Sequence, residues 1–345
     1  MRPKFKMHLA EYARALWQFS RPRTLVLIWL HILIAYVCLA SKVPAIWQIL
    51  LVLVASTSSY ISAVSFNDLS DREVDSINLS KDQLSADRPL INGTVSQVSA
   101  WYIAVISSVI CVIACGLLQL WLFVVACVMI LLNVCYSMPP IRIAKRGALA
   151  QYLLPIMYVL FPATLALAIA STLTVTFLWV VSGLYIIFVA RLFLKDLRDE
   201  KGDRATGKRT YLVRHGLKNT LVHAWVCLVI GIGLSAIQLI GVNIDALLLG
   251  GIAILCGIGI TWALYFCYKA APLDSKLLWV AVVGRFASMW AFCLVVYLML
   301  GYSAIPYAQR AWLLVFTAAI FFAGIGMLYE ELQSVMRKQS RLQKQ

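Results

Sequence analysis

Two short polar stretches hold ten of the chain's fifteen acidic residues. The first reads Asn67-Asp68-Leu69-Ser70-Asp71-Arg72-Glu73-Val74-Asp75 and is followed by Asp82 and Asp87. The second reads Asp196-Leu197-Arg198-Asp199-Glu200-Lys201-Gly202-Asp203. Asn67, Asp71 and Asp75 recur at i, i+4 and i+8, so on a helix their oxygens line one side, with Asp68 beside them. Asp199 and Asp203 repeat the i, i+4 step, and Asp196 stands one turn earlier. Each stretch could thus present two or three oxygens toward a common point. Magnesium binds through one or two carboxylates together with phosphate oxygens and water, so two facing sets suit a metal-bound polyanion such as diphosphate. For either stretch alone, solvated loop charges paired with Arg72, Arg198, Lys201 and Arg204 explain the pattern equally well. Matched spacing in two stretches favours metal.

Each stretch directly follows an apolar run long enough to cross a bilayer, which takes about 20 residues. A mean hydropathy of +0.85 and 62% hydrophobic residues exclude an ordinary soluble domain. Ten spans are predicted, at roughly 25–41, 46–66, 98–117, 119–138, 151–171, 175–194, 221–241, 247–268, 277–301 and 310–329. The runs lack the two-residue alternation of a porin-type barrel. Lipid offers backbone groups no outside partner, so a helical bundle follows.

The net charge of +15 resembles a nucleic-acid signal until the charges are located. Lys and Arg crowd into the N-terminal segment, alternate loops and the C-terminal tail. Only Lys42 and Arg310 fall in the loops opposite, and Arg285 lies within a span. The positive-inside rule places both acidic stretches and both termini in the cytoplasm. Topology and anionic lipid headgroups account for the basicity, and no nucleic-acid partner is expected. The cytoplasmic loops, about 67–97, 139–150 and 195–220, are long and the outer ones short, which puts the chemistry on the cytoplasmic face.

Residues 1–24 read as a basic interfacial segment, with no removable signal peptide. All nine cysteines lie in apolar spans without a Cys-x-x-Cys pair, and Cys111 and Cys115 share a helix face as packing residues. The sequons at Asn78 and Asn92 fall on the cytoplasmic side and are discounted. His31 and His223 read as packing histidines, and Arg285 as either a buried ion-pair partner or an acceptor contact.

The chemistry-bearing residues resemble the UbiA superfamily of intramembrane prenyltransferases. Asn67-Asp68-x-x-Asp71-x-x-x-Asp75 is similar to its first aspartate-rich motif and Asp199-x-x-x-Asp203 to its second. Tyr136-Ser137-Met138-Pro139-Pro140-Ile141-Arg142 resembles its Tyr-Ser-x-Pro-Pro segment, and Asp87-Arg88-Pro89-Leu90 with Gly93 its Arg-Pro turn. Arg21-Pro22 is a weaker match.

The resemblance implies an all-α integral membrane protein, a bundle of nine transmembrane helices around a central cavity, with an extra C-terminal helix here. The basic segment 1–24 would precede a prenyltransferase domain over 25–302, and residues 303–345 would add a transmembrane helix and a basic tail. Two Mg2+ ions are implied. Asn67, Asp71 and Asp75 would hold one, and Asp199 and Asp203 the other, with Asp68 and Asp196 as support or direct ligands. Asp71, Asp75, Asp199 and Asp203 would be the catalytic carboxylates. Arg72, Arg88, Tyr136, Arg142 and Lys145 are the candidate diphosphate contacts, with Lys208 and Arg209 as weaker ones.

The implied reaction moves a polyprenyl group from a prenyl diphosphate to an aromatic, quinone-precursor or lipid-like acceptor. Metal and cationic side chains would neutralise the departing diphosphate, and apolar walls would keep water from the allylic cation. Terpene cyclisation, or phosphoribosyl transfer to polyprenyl phosphate, would use the same metal logic. A transporter or metal-binding membrane protein is the non-enzymatic alternative, although its ionisable groups would lie nearer mid-bilayer. The Tyr-Ser-x-Pro-Pro segment leans toward branches resembling the homogentisate, chlorophyll and archaeal-type lipid synthases. The stretch from Asp75 to Arg88 is longer than in the common aromatic-accepting members. Hydrophobic acceptor and membrane lipids are the expected partners, and a bacterial inner membrane the expected location.

Overall fold

The computed structural model describes residues 16–17, 19–39, 44–78, 89–91, 93–170, 172–237 and 244–302, with positions 306, 310–311, 314–315, 317–319, 322 and 333. Regular structure among these is helical throughout. The helices are α1 (Pro22–Val37), α2 (Ile46–Ser70), α3 (Arg72–Asn78), α4 (Gln97–Leu118), α5 (Leu120–Ser137), α6 (Ala148–Ala170), α7 (Val175–Ala205), α8 (Tyr211–Ile237), α9 (Ile244–Lys269) and α10 (Leu273–Tyr297). Eight are long and apolar enough to cross a membrane, and α1 is a shorter apolar helix. Together these account for the first nine predicted spans. The tenth span, the basic N-terminal segment and the tail lie largely outside the described residues.

The chain divides into two compact units. One gathers Met1–Trp29, Ala45–Ile169 and Asp199–Val213; the other gathers Leu30–Pro44, Ala170–Arg198 and Arg214–Gln345. The first holds Asp71, Asp75, Asp199 and Asp203.

In the first unit α2 packs along α4 through small polar side chains. Ser56, Ser58, Ser59, Ser62 and Ser65 are all buried, and the Ser62 and Ser108 hydroxyls hydrogen-bond at 2.7 Å. Lipid tails give helices no hydrophobic reason to associate, so close approach of small residues and hydrogen bonds between helices do that work. Helix starts are satisfied locally. The Ser96 hydroxyl accepts from the Ser99 amide at 3.0 Å, and the Gln48 side chain accepts from the Ala45 amide at 3.1 Å. α5 ends at Ser137, just before Pro139-Pro140, as a proline pair requires. A 3-10 turn (Ile143–Lys145) follows. In α6, Pro155 lacks an amide hydrogen and is followed by a π-helical turn, Ile156–Leu160. That turn carries Tyr158, whose ring meets Tyr60 of α2 edge-on at 5.5 Å.

In the second unit α7 and α8 approach through glycine. A Cβ on Gly183 would lie 2.5 Å from the Gly231 carbonyl oxygen, so no larger residue fits there. Trp290 of α10 donates its indole N–H to Ser235 of α8 at 2.9 Å, deep in the unit.

Two boundaries differ from expectation. α7 runs for 31 residues rather than stopping near residue 194. At 1.5 Å per residue it measures about 46 Å, well beyond a bilayer core of about 30 Å. A short helical segment starts at Tyr211 and breaks at Gly216 (φ 75°, ψ 172°), after which α8 runs on, so the predicted loop 195–220 becomes the end of α7, residues 206–210, that segment and the break. The polar end of α7 keeps Lys195, Arg198, Lys201 and Arg204 exposed and is supported by i, i+4 pairing, with Arg204 on Glu200 at 2.8 Å.

Candidate active site

The first acidic motif straddles a helix break. α2 ends at Ser70, Asp71 leaves helical geometry, and α3 restarts at Arg72. The i to i−4 ladder nevertheless survives, since the Asp71 amide bonds the Asn67 carbonyl and the Asp75 amide bonds the Asp71 carbonyl, both at 2.8 Å. The backbone bonds that join these positions therefore continue across the break. Asp68, Asp71 and Asp75 are 3%, 6% and 6% exposed, and Asn67 is half-buried. Charged side chains this deep need partners.

Cations from distant parts of the chain supply them. Arg142 donates from Nη2 to Asp71 Oδ1 at 2.9 Å and to the Ser70 carbonyl at 2.6 Å. It reaches them from a left-handed backbone position (φ 40°) at the start of the 3-10 turn. The Ser70 hydroxyl donates to the Ser137 carbonyl at 2.5 Å, tying the end of α2 to the end of α5. Lys208 donates to Asp71 Oδ2 at 3.2 Å. Arg21 binds Asp68 Oδ1 at 2.5 Å.

The second motif comes in on the polar end of α7. Asp203 is 1% exposed, and its Oδ1 lies 3.6 Å from the Lys208 ammonium. Asp199 is half-buried and within electrostatic reach of Asp203 and Lys208. The α7 terminus is sealed by the Lys208 amide on the Asp203 carbonyl at 2.8 Å, with Gly207 in the left-handed region at φ 68°. Asp71, Asp203, Arg142 and Lys208 thus form one buried cluster.

Electrostatics follow from this packing. Burial alone would raise the Asp71 carboxyl, but the Lys208 ammonium and then the Arg142 guanidinium outweigh it and hold it below the ordinary carboxylate range. Burial works against charge on Lys208, and Asp71 and Asp203 reverse that, raising it above the usual lysine value. Arg21 is likewise raised, with Asp68 overcoming the cost of burial.

Other predicted residues take varied places. Tyr136 is half-buried near Lys208, Lys145 is half-buried at the end of the 3-10 turn, and Arg72 is exposed. Asp196 is half-buried on α7 three residues before the part of that helix belonging to the first unit. Arg88 lies outside the described residues. Two partners were underweighted by sequence, Lys208 and Arg21. The sequence marks Lys208 only among the weaker diphosphate contacts, and Arg21 only within the weaker Arg21-Pro22 match.

No three His, Cys, Asp or Glu side chains among the described residues already converge as a metal cage. The cluster instead offers separate hard oxygen donors. Arg142 Nε is buried without a hydrogen-bond partner, and Asp203 Oδ1, also buried, makes no hydrogen bond and has the Lys208 ammonium at 3.6 Å. Carboxylate oxygens of this kind fit a cation that completes its shell from a ligand's phosphate oxygens and water.

Residues 28–277 match the UbiA prenyltransferase family, and the chain belongs to that family. It is 25% identical over 233 residues to the 2-acylphloroglucinol 4-prenyltransferase of Humulus lupulus, covering 61% of this chain and 54% of that one. The chain therefore spans about half the length of that relative. It is 24% identical over 292 residues to the homogentisate phytyltransferase of Synechocystis sp., covering 80% and 84%. A UbiA homolog from Archaeoglobus fulgidus bound to GPP and Mg2+ superposes with a TM-score of 0.59 at 16% identity, over 82% of this chain and 99% of that one. At that identity the likeness concerns the fold alone.

Proposed function

We propose that this chain is a magnesium-dependent membrane prenyltransferase that moves a prenyl group from its diphosphate to a hydrophobic acceptor. The observation that supports it best is the convergence of Asp71, from the first motif, and Asp203, from the second, on one ammonium at 3.2 and 3.6 Å. Family membership and the relatives' activities point the same way.

In this reading Asn67, Asp71 and Asp75 hold one Mg2+ and Asp199 and Asp203 a second, with Asp196 nearby. When bound, Mg2+ supplies positive charge that stabilises the departing diphosphate. Arg142 is anchored on Ser70 and Asp71, and its Nε, buried without a hydrogen-bond partner, is a donor for the anion. Lys208 and Lys145 add positive charge, and Tyr136 can donate a hydrogen bond. Asp68 is a positioning residue, because Arg21 occupies its Oδ1. Apolar walls exclude water, so the allylic cation meets the acceptor instead. The motifs face the cytoplasm and the host membrane is a bacterial inner membrane. The acceptor is aromatic, quinone-like or lipid-like.

The test is diphosphate release from membranes carrying the protein, given geranyl diphosphate or a longer homologue with Mg2+ and a lipid extract as acceptor source. Prenylated product that disappears in Asp71→Ala is expected. No release from any prenyl diphosphate, with an unchanged lipid profile in Asp71→Ala cells, would end the proposal.

A further inference from the structure

Lys208 reaches both acidic motifs. Its ammonium lies 3.2 Å from Asp71 Oδ2 and 3.6 Å from Asp203 Oδ1, and its side chain is only 13% exposed. The backbone fixes it there. Thr206 and Lys208 amides close the end of α7 on the Gly202 and Asp203 carbonyls at 2.9 and 2.8 Å, and Gly207 turns the chain at φ 68°. A lysine leaving a helix end normally extends into water or lies along lipid headgroups. This one is held inward between two carboxylates.

Asp71 and Asp203 carry two negative charges, and Arg142 and Lys208 carry two positive ones. Those four charges cancel, and Asp199 within reach of Lys208 adds a further negative charge. A divalent cation arriving alone would compete with Lys208 for the same carboxylate oxygens and crowd positive charge against Lys208 and Arg142 in a poorly solvated place. A cation arriving with a diphosphate brings its own compensating negative charge, and the diphosphate offers Lys208 new oxygens. The ammonium is a compact point charge on a flexible four-carbon stem, suited to such a change of partner.

We propose that Lys208 is an internal counter-ion that stands in for the divalent cation between the two motifs, so that metal gains these carboxylates only together with a diphosphate that takes Lys208 over. This rests on the magnesium-dependent reading above and adds to it a coupling between two ligands. The coupling is reciprocal, so metal and diphosphate each strengthen binding of the other.

Lys208→Gln and Lys208→Arg test the idea in detergent-purified protein, with Mn2+ as the probe followed by the EPR signal of the free ion. Thermal melting confirms that both variants are folded. Without diphosphate, Lys208→Gln should bind Mn2+ about ten-fold tighter than wild type or more, given the coupling energies of close charge pairs. Lys208→Arg should stay near wild type. Retention of geranyl diphosphate in the presence of Mg2+ should weaken in Lys208→Gln. Equal or weaker Mn2+ binding by Lys208→Gln overturns the counter-ion role, while Mn2+ binding that still responds to geranyl diphosphate leaves the transferase reading standing. If neither wild type nor variant binds Mn2+ even with geranyl diphosphate present, both fall together.

Discussion

The two acidic motifs reach the same cluster by opposite means. The second lies on an unbroken helix, and its i, i+4 spacing alone sets Asp199 and Asp203 on one side. The first lies at a break between α2 and α3, and its carboxylates are pinned by side chains far away in sequence. Arg21, Arg142 and Lys208 reach it across 47, 71 and 137 residues. A helix positions ligands by its own geometry, whereas a broken helix must be held by tertiary contacts. The first motif should therefore be the more sensitive to changes outside itself.

That contrast can be broken or sharpened by experiment. The largest effect is expected at Asp71, which holds two cations and is a candidate ligand. Asp71→Ala should lower diphosphate release by about a thousand-fold or more. A loss under ten-fold would remove Asp71 from the centre of the site. Asp203→Asn keeps the helix and the side-chain volume, so a loss of about 100-fold with little change in melting temperature is expected. A large drop in melting temperature would mean that the second motif, too, is held by tertiary contacts.

Arg21→Ala tests the pinning directly. It leaves the Asp68 carboxylate buried without this guanidinium, which should cost about 3–5 kcal/mol, read as a lower unfolding midpoint in detergent. Arg21→Ala with Asp68→Leu should recover much of that loss. Failure to recover would show that Asp68 has a role beyond the pair. The smallest effect is expected at Arg72, which is exposed beside the break. Arg72→Ala should change activity by less than about two-fold, as surface substitutions usually do. A large change would support Arg72 as a diphosphate contact.

The architecture was legible where one physical rule dominates. Lipid forces apolar, hydrogen-bonded helices, so nine spans could be read from hydropathy before any contact was known. The end of α7 was not, because a helix continuing into water carries the same polar residues as a loop. Within the site, Asp71, Asp203 and Arg142 stood out through motif spacing. Lys208 and Arg21 were only weakly marked, because the cytoplasmic rim is crowded with Lys and Arg for topological reasons and little local distinguishes the few that turn inward. Pairings between residues that distant are set by packing, and packing has no signature in a short window.

The π-helical turn of α6 has a consequence for variation in this chain. A turn bonded i to i+5 holds one residue more than its α-helical neighbours, which makes it the helical equivalent of an insertion. The segment on one side of Ile156–Leu160 is rotated by about 100° from where an uninterrupted helix would place it. Deleting one residue there would hardly alter the hydropathy of the span and would still leave a membrane-length helix. It would nonetheless swing Tyr158 away from its edge-on contact with Tyr60, so a change nearly silent in composition would act as a twist of the wall.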